Sequence, residues 1–490
     1  MKPQTSFTSG WGLEKPVYFC KMTTTIRSLA LATIFGLPLF LFAQSKEANL
    51  LGHWFDPALS GSAAYDNTYN EVWGIAVNGH EYGIIGSTAG THFIDITDPT
   101  MPWEAFFVPG AATGASIIHR DYHDYAGYLY AVCDEGQSTL QIMDITHLPD
   151  SLPVVYDSKA RFSRSHNIFI DTASALLYTL ATSGGDSPYS GMRVYDLANP
   201  ISPTLVGSYN TFGSFSFGHV HDAYVRNDTA FLNCGYDGFT MVDFSDPYQP
   251  VPLGTLTSYP GKGYNHSGWQ SEDGSYYFMA DETHGSPLKV LDIKDPENIK
   301  VASIFEAIPG DLKSIPHNLL IRGDYLYVSY YYDGLRVFDI HDPENPPLQV
   351  LHYSTSSEPK LNSYKGAWGA FPYLPSGNIL ISDMQEGLFV FAPVEPSISA
   401  IPKIQNNIAF TISPNPASHQ IQLSHLPIGG PFEARLLDLC GRIVNTWRLA
   451  DDQPHQILDL PADLSTGLFI LELKGAHGAV GQTIQITPGE

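Results

Sequence analysis

The 490-residue chain is long enough for more than one domain, and its composition argues against a helical protein. Only 15% of the residues are charged, while 12% are aromatic and Gly and Pro number 43 and 36, a profile typical of many short strands joined by tight turns. The formal net charge of −25 argues against nucleic acid and anionic membrane surfaces as partners, because phosphate binding requires a basic surface.

Residues 22–43 have the pattern of an export signal. The apolar run SLALATIFGLPLFLFA follows Arg27 and ends in a small residue before Gln44. A cationic start, a short apolar core and a small final residue are features of a secretory signal, and the run is short for a membrane span. We interpret residues 1–21 as a mis-called extension, because Met22 is better placed as the start. The alternative is an uncleaved anchor; after signal cleavage we expect no transmembrane segment.

One unit of nearly constant length recurs along the chain after the signal. Each copy contains an apolar run that ends in Asp, as in LRVFDIHDPEN from Leu335. Successive copies are 47 to 53 residues apart, and such a fixed period indicates a repeat array. The marks are Asp95, Asp144, Asp196, Asp243, Asp292 and Asp339, with Ala392 in a degenerate seventh copy.

Each unit is interpreted as four short antiparallel strands, most clearly in the sixth copy. There, Gly323-Asp324 and Asp333-Gly334 separate three apolar runs, and Asp342-Pro343 turns the chain before a weaker fourth run. Four strands per unit, repeated without helical spacers, are typical of β-propeller blades. We therefore predict an all-β fold in which residues 46–395 form a seven-bladed β-propeller.

The predicted circle closes through its N-terminal segment. The fourth-strand pattern, LVGSY from Leu205, has no equivalent after Phe391. An orphan copy of this pattern, LLGHW, stands at residues 50–54, ahead of the first complete unit. Residues 50–54 should therefore supply the outer strand of blade 7.

Four Asp-x-x-Asp-Pro loops follow the third strands. Two carboxylates in one loop could suggest calcium, but calcium requires roughly six to eight oxygen ligands. Asp side chains also bond to the backbone of their own turn, so we interpret the loops as turns. The Asp pairs are Asp95/Asp98, Asp243/Asp246, Asp292/Asp295 and Asp339/Asp342.

A second domain is predicted after a proline-bearing linker at residues 396–407. Residues 408–488 contain alternating strand patterns broken by Pro, Gly and Asp clusters, which indicates a small β-sandwich. Its distinctive phrases are SPNPAS from Ser413, LLDLCGRIV from Leu436 and LPADLSTGLFILELK from Leu460.

Both regions resemble known families. The Asp-terminated runs and the LVGSY-like strands resemble the LVIVD-type repeat and the "choice-of-anchor B" family of exported propeller proteins, which has no general activity to carry over. The three C-terminal phrases occur in the order found in the C-terminal sorting domain of type IX secretion substrates, which they resemble. That resemblance implies the type IX machinery as a partner, passage through the outer membrane, removal of the domain, and release or surface anchoring. The alternative is an ordinary accessory sandwich that binds carbohydrate or packs on the propeller.

A distinctive residue begins the first strand of every unit. Since the first strand of a propeller blade lines the central channel, these side chains should form a ring near one mouth. Imidazoles, a guanidinium and indoles around an axis could bind an anion, a sugar or a metal. The seven candidates are Trp73, Arg120 (with His119 beside it), His166, His221, His266, His317 and Trp368.

The segment His219-Val220-His221 adds a weak candidate for metal binding. Its two histidines lie on one face of an extended strand, a spacing compatible with a divalent metal. The sequence itself requires no cofactor.

The same seven residues also have a structural interpretation. A polar side chain that recurs once per blade can lock neighbouring blades through their backbones, whereas a catalytic group is needed only once. The sequence contains no HExxH, GxSxG or CxxC motif and no phosphate-binding glycine loop. We expect a secreted or cell-surface propeller that binds a glycan or protein. The alternatives are a secreted hydrolase or lyase with a His/Arg site at the axis, and a structural adhesion component.

Overall fold

The computed structural model describes residues 45–394 and, with short gaps, residues 410–487. The expected extension (1–21), signal (22–43) and linker (396–407) lie outside the described residues. Within the described part the chain is all-β, with two 3₁₀ turns (Ile145–His147 and Pro296–Asn298) and no helix long and apolar enough to cross a membrane. The gaps are at 425, 427–431, 438–442, 451–452, 462–463, 465 and 476–477.

Residues 45–394 form seven four-stranded antiparallel sheets, here called blades 1 to 7 in chain order. Two strands precede them, β1 (Lys46–Glu47) and β2 (Leu50–Trp54). Blade 1 contains β3 (Tyr69–Val77), β4 (His80–Ser87), β5 (Gly90–Asp95) and β6 (Trp103–Pro109). Blade 2 contains β7 (Arg120–Tyr125), β8 (Tyr128–Cys133), β9 (Leu140–Asp144) and β10 (Val154–Ser158). Blade 3 contains β11 (Ile168–Asp171), β12 (Leu176–Gly184), β13 (Ser187–Asp196) and β14 (Thr204–Tyr209).

A two-stranded hairpin, β15 (Thr211–Phe212) and β16 (Phe215–Ser216), precedes the remaining blades. Blade 4 contains β17 (Asp222–Arg226), β18 (Thr229–Asn233), β19 (Phe239–Asp243) and β20 (Val251–Leu256). Blade 5 contains β21 (Asn265–Gln270), β22 (Tyr276–Asp281), β23 (Leu288–Asp292) and β24 (Lys300–Phe305). Blade 6 contains β25 (Leu319–Arg322), β26 (Tyr325–Tyr330), β27 (Gly334–Asp339) and β28 (Leu348–Tyr353). Blade 7 contains β29 (Ala367–Phe371), β30 (Ile379–Asp383), β31 (Gly387–Phe391) and, as its outer strand, β2.

The hairpins follow from their turn residues. Asn78 and Gly79, between β3 and β4, both have positive φ (50° and 84°), as a type I′ turn requires. The twist of that turn matches the twist of the strands that it joins. In the Asp-x-x-Asp-Pro loops the side chain of the first Asp accepts a hydrogen bond from the backbone N–H two residues on, as Asp95 does from Thr97 at 2.9 Å. The turn interpretation of these loops is confirmed.

The blades form a closed circle around an axis lined by their first strands. Each first strand contacts the first strand of the next blade, from β3 and β7 through to β25 and β29, and β29 contacts β3. Between every two neighbouring blades lies one cluster of buried apolar side chains, including the cluster between blades 7 and 1 that contains Val72, Ile94 and Leu380. The contacts between neighbouring blades therefore form the core of the propeller.

The N-terminal segment joins two blades. β2 pairs antiparallel with β31, with Leu50 opposite Phe391 and Trp54 opposite Leu388. Just before it, β1 pairs parallel with β28 and adds a fifth strand to blade 6. This second pairing was not predicted from the sequence.

The described part of residues 410–487 consists of two sheets around a core of their own. One sheet contains β32 (Thr411–Ser413), β33 (Gln420–Ser424) and β36 (His455–Asp459). The other contains β34 (Glu433–Leu437), β35 (Ile443–Arg448), β37 (Gly467–Gly475) and β38 (Gly478–Ile486). Apolar residues of both sheets, such as Ile421 and Leu436, are fully buried in one cluster, as expected for a β-sandwich.

Removal of residues 46–56 should lower the melting temperature by several °C. The deletion takes away the outer strand of blade 7 and the fifth strand of blade 6, a loss of several kcal/mol, and each kcal/mol shifts the melting temperature by roughly 1–2 °C in a propeller of this size, because the entropy of unfolding grows with chain length. Thermal unfolding followed by circular dichroism measures the effect. Phe55→Ala is the control, because this exposed side chain lies beyond the paired residues. An unchanged melting temperature of the deletion variant would refute a closing role for the N-terminal segment.

Candidate functional site

Six aromatic side chains from six blades surround the axis at one end of the first strands. They are named the axial hexad. The distances between successive ring centroids are 4.3, 4.2, 4.0, 4.2 and 4.6 Å, and a last distance of 5.6 Å closes the circle. In order, the members are His119, His166, His221, His266, His317 and Trp368.

The hexad lines a cavity of about 270 Å³. This volume is slightly below the range of about 300–1,000 Å³ that is common for drug-sized ligands, so the cavity suits a smaller molecule or ion. The other side chains around it include two acids and three tyrosines. The remaining lining residues are Tyr65, Ile118, Glu135, Asn167, Glu282, Asn318, Tyr331, Tyr364 and Met384.

Two members of the hexad lock neighbouring blades together. The Nδ1–H of His317 in blade 6 donates to the carbonyl oxygen of Trp368 in blade 7 at 2.5 Å. The Nδ1–H of His166 in blade 3 donates to the Asp134 carboxylate, which follows the second strand of blade 2, at 2.8 Å. His317 therefore bonds to a neighbouring blade's backbone, as the structural interpretation expects, whereas His166 joins two blades through a side chain.

Three members of the hexad have an imidazole nitrogen without a partner. The Nδ1 atoms of His119, His221 and His266 are buried and make no hydrogen bond within the protein. A buried polar atom left unpaired costs about 1–3 kcal/mol. The imidazoles of His119 and His266 also interact with the backbone of the next blade, at His166 and His317, so this cost is clearest at His221.

Burial keeps most of the hexad neutral. It lowers the pKa of His317 to about 3 and, together with the neighbouring imidazoles, holds the pKa of His119, His221 and His266 well below the usual range. His166 is the exception, because its hydrogen bond to Asp134 and the nearby carboxylates outweigh burial and raise its pKa.

Burial also changes the pKa values of the two acids that line the cavity. It raises the pKa of Glu135, and it raises the pKa of Glu282 to about 7. With neutral imidazoles beside carboxyl groups, the cavity does not favour an anion. It suits a neutral polar molecule or a cation.

A second layer of polar groups lies next to the hexad along the axis. Three acids, here the axial carboxylates Glu71, Asp121 and Asp222, line a smaller cavity of about 60 Å³, and the first two are buried. Asn167 and Asn318 line both cavities, and their amides donate to Asp222 at 3.3 Å and to Glu71 at 2.6 Å. Asp121 and Asp222 directly follow Arg120 and His221 of the predicted ring, and this position in the repeat is the sequence signal that could have identified them. Glu71 comes two residues before Trp73, so the same signal does not point to it.

Trp73 does not lie in the hexad. It lines the smaller cavity with Phe169 and Trp269, which follow the hexad members His166 and His266 by three residues. Its indole N–H donates to the Asp124 carboxylate at 2.8 Å. The first strands of blades 1 and 7 shift register at the same place, between Tyr69 and Val72 and between Ala367 and Ala370, so by strand pairing Trp73 corresponds to Phe371. The Trp-Gly pairs of the two blades are therefore not at equivalent positions.

Arg120 points away from the axis. Its guanidinium is buried and donates to the carbonyl oxygens of Ser87 at 2.8 Å and Ala112 at 2.6 Å, so it ties blade 2 to blade 1. Neighbouring side chains on an extended strand point to opposite sides, and in blade 2 it is His119 that faces the axis. The cavity therefore contains no guanidinium from Arg120.

The rings of the weak metal candidates His219 and His221 lie 6.2 Å apart, but only His221 lines the cavity. His219 shares a hydrogen bond of 2.5 Å with the Tyr264 hydroxyl and is absent from the lining of the cavity. His221 is grouped instead with His266 and Glu282, whose potential ligand atoms all lie within 4.8 Å of one another. Sequence reasoning missed Glu282 because it follows a second strand, outside the repeated position at the start of the first strands.

Asp121→Asn should flatten the pH dependence of stability. Burial raises the pKa of Asp121 from 3.8 to about 7, so between these values the unfolded chain binds fewer protons than the folded one and stability falls as pH rises. Asparagine can still accept the hydrogen bond that Ile168 N–H makes to this side chain. We expect a gain of at most about 4 kcal/mol at pH ~8 and little change near pH ~4.

Denaturant unfolding at several pH values measures this effect. The control is Asp150→Asn, at an exposed position, which should leave the profile unchanged. Equal effects of Asp121→Asn at both ends of the pH range would contradict the linkage.

Comparisons with known proteins find one repeat family and several similar solved structures. The model of the LVIVD repeat matches residues 190–211 and 316–355. Similar solved structures include a candidate 6-phosphogluconolactonase from Bacteroides fragilis (12% identity, TM-score 0.45, 82% of this chain and 97% of that chain). Others are the Cps50 (Swd1) β-propeller domain from Myceliophteria thermophila (9%, 0.46, 70% and 98%) and a second candidate 6-phosphogluconolactonase, from Bacteroides uniformis (13%, 0.44, 85% and 100%). No curated protein matches the sequence at a significant level. The closed circle of four-stranded sheets and the matched repeats identify the chain as a β-propeller protein with LVIVD repeats.

Proposed function

We propose that the chain is an exported binding protein that takes a small polar ligand, such as the end of a glycan, into the axial cavity. The observation that carries this function is the set of unpartnered imidazole nitrogens around a cavity of about 270 Å³. A ligand that hydrogen-bonds to them would remove the cost of leaving them unpaired.

The cavity has the two kinds of group that a sugar-like ligand requires. Tyr331 and Trp368 offer aromatic surface at its wall, while Glu135, Glu282 and the hexad imidazoles offer hydrogen-bonding atoms. Apolar faces with a few convergent polar groups are typical of small-molecule sites. The neutral imidazoles and the acids favour a neutral or cationic ligand over an anionic one.

A hydrolase or lyase is the second candidate function. The Tyr331 hydroxyl donates to one oxygen of the Glu282 carboxylate, and the other oxygen lies 3.8 Å from Nε2 of His266. A hydroxyl, a carboxyl and an imidazole that lie next to one another in space can transfer protons to a bound substrate. Arg120 takes no part in this candidate, because its guanidinium is bonded to the backbone of blade 1 and its loop.

Export through a type IX machinery is part of the proposal. It is supported by the apolar run at residues 28–43 and by the order of the phrases from Ser413, Leu436 and Leu460. After passage through the outer membrane, the sorting domain at residues 408–488 would be removed and the propeller released or anchored at the cell surface.

Ligand binding should depend on the hexad. A glycan and peptide array is probed with the full chain, and hits are titrated against His221→Ala and His317→Ala. We expect both substitutions to weaken binding at least tenfold, about 1.4 kcal/mol, because each removes a polar wall of the cavity. His341→Ala, at an exposed outer turn, is the matched control and should bind normally.

Two results would contradict the ligand proposal. One is an array with no hit for the wild type, and the other is unchanged binding by both hexad variants with melting temperatures close to the wild type. Release of a modified product from a hit would favour the second candidate function over simple binding.

Surface delivery should require the C-terminal domain. In a bacterium that has the type IX machinery, deletion of residues 408–488 should leave the propeller in the periplasm, because the signal alone directs passage across the inner membrane only. Cell fractionation and surface proteolysis measure the distribution. Continued appearance of the truncated chain outside the cell would refute this route.

A further inference from the structure

One part of the cavity wall has the composition of a transition-metal site. His221 lies just before β17 of blade 4, His266 lies in β21 of blade 5, and Glu282 directly follows β22 of blade 5. One potential ligand atom of each side chain lies within 4.8 Å of the other two. In the part of the chain that the structure describes, this is the one group of three such residues with that spacing.

The two histidines are buried, and each has a ring nitrogen that makes no hydrogen bond within the protein. Their side chains are almost fully buried, with 8% and 2% of their surface exposed. The Nδ1 atom of each is buried without a hydrogen-bond partner, and in His266 it is the other nitrogen, Nε2, that lies near the Glu282 carboxylate. Both residues line the axial cavity, so an ion can enter the site through that cavity without passing through the apolar core.

The carboxylate of Glu282 is oriented by a neighbouring blade. The Tyr331 hydroxyl, which follows the second strand of blade 6, donates to Oε1. The other oxygen, Oε2, is left toward His266 at 3.8 Å from its Nε2 atom. A hydrogen bond that fixes one oxygen while the other faces the imidazoles is the arrangement that outer-shell partners give to metal-binding carboxylates.

The donor set selects the kind of ion. Two imidazole nitrogens and one carboxylate oxygen suit Zn²⁺, Fe²⁺ and related ions, whereas Ca²⁺ and Mg²⁺ prefer oxygen ligands throughout. Metal–ligand distances of about 2.0–2.2 Å require each group to move inward by less than about 1 Å from its present position. Three protein ligands leave at least one coordination position open toward the cavity, as in catalytic sites.

We propose that His221, His266 and Glu282 bind one divalent transition-metal ion at the wall of the axial cavity. Tyr331 acts as a positioning residue for the carboxylate. The inference deepens the proposed function, because an ion with an open coordination position gives the cavity a second way to hold a polar ligand. It rests on the same site, but metal content and glycan binding are measured separately.

Metal content of the full chain tests the proposal. The protein is treated with a chelator, incubated with Zn²⁺, passed through gel filtration and measured by inductively coupled plasma mass spectrometry. We expect one Zn²⁺ per chain, and the absorption bands of a low-symmetry site when Co²⁺ is used instead. Absence of stoichiometric metal in the folded wild type would overturn the proposal.

Variants assign the ligands. His266→Ala and Glu282→Gln should weaken Zn²⁺ binding by more than about 100-fold, and Tyr331→Phe by about 10–100-fold, the cost typical of losing an outer-shell partner. Glu282→Gln keeps the size of the side chain and guards against loss of folding, which circular dichroism checks. His341→Ala and His219→Ala are the controls and should retain one Zn²⁺.

The outcomes separate this proposal from the ligand proposal. Zn²⁺ binding without any glycan hit would leave the metal site in place and remove the glycan. A glycan hit with no bound metal would support the ligand proposal and overturn the metal site. Loss of Zn²⁺ in His219→Ala equal to the loss in His266→Ala would overturn the ligand assignment.

Discussion

Every blade of this propeller has two apolar faces, and both need a neighbour to cover them. One buried cluster lies between each pair of adjacent blades, and the last cluster joins Leu380 of blade 7 to Ile94 of blade 1. A linear row of the same sheets would leave an apolar face exposed at each end, whereas a circle leaves none. The need to cover the end faces therefore dictates that the chain returns to its starting point.

Closure also explains the chemistry at the axis. Because the first strands converge, side chains at the same position of the repeat meet, and neighbouring hexad rings from His119 to Trp368 lie 4.0 to 4.6 Å apart. Imidazoles this close, removed from water, cannot all carry a charge, and their pKa values fall accordingly. A histidine that recurs at one position of the repeat thus gives a ring of closely spaced imidazoles, most of which are neutral.

The fold class was predictable because its signals are local. Turns such as Asp333-Gly334 and the alternation of the strands act over a few residues. The positions of side chains along the axis were harder to predict. Arg120 bonds to blade 1 while the preceding residue, His119, faces the axis, and Trp73 occupies in blade 1 the position that Phe371, not Trp368, occupies in blade 7. Glu282 follows a second strand, and only the packing of blade 5 against the axis brings it to the cavity. Export and the sorting domain stay predictions.

The pairing of β2 with β31 has a consequence for the order of assembly. Leu50 and Phe391 are direct neighbours in that sheet, although almost the whole propeller lies between them along the chain. The N-terminal strand is synthesised first, and its partner does not exist until nearly the whole propeller has emerged. During that interval the N-terminal strand has no partner strand, and blade 7 at the other end of the propeller is incomplete. Joining these two ends is then the step that converts an open arc into a sealed circle.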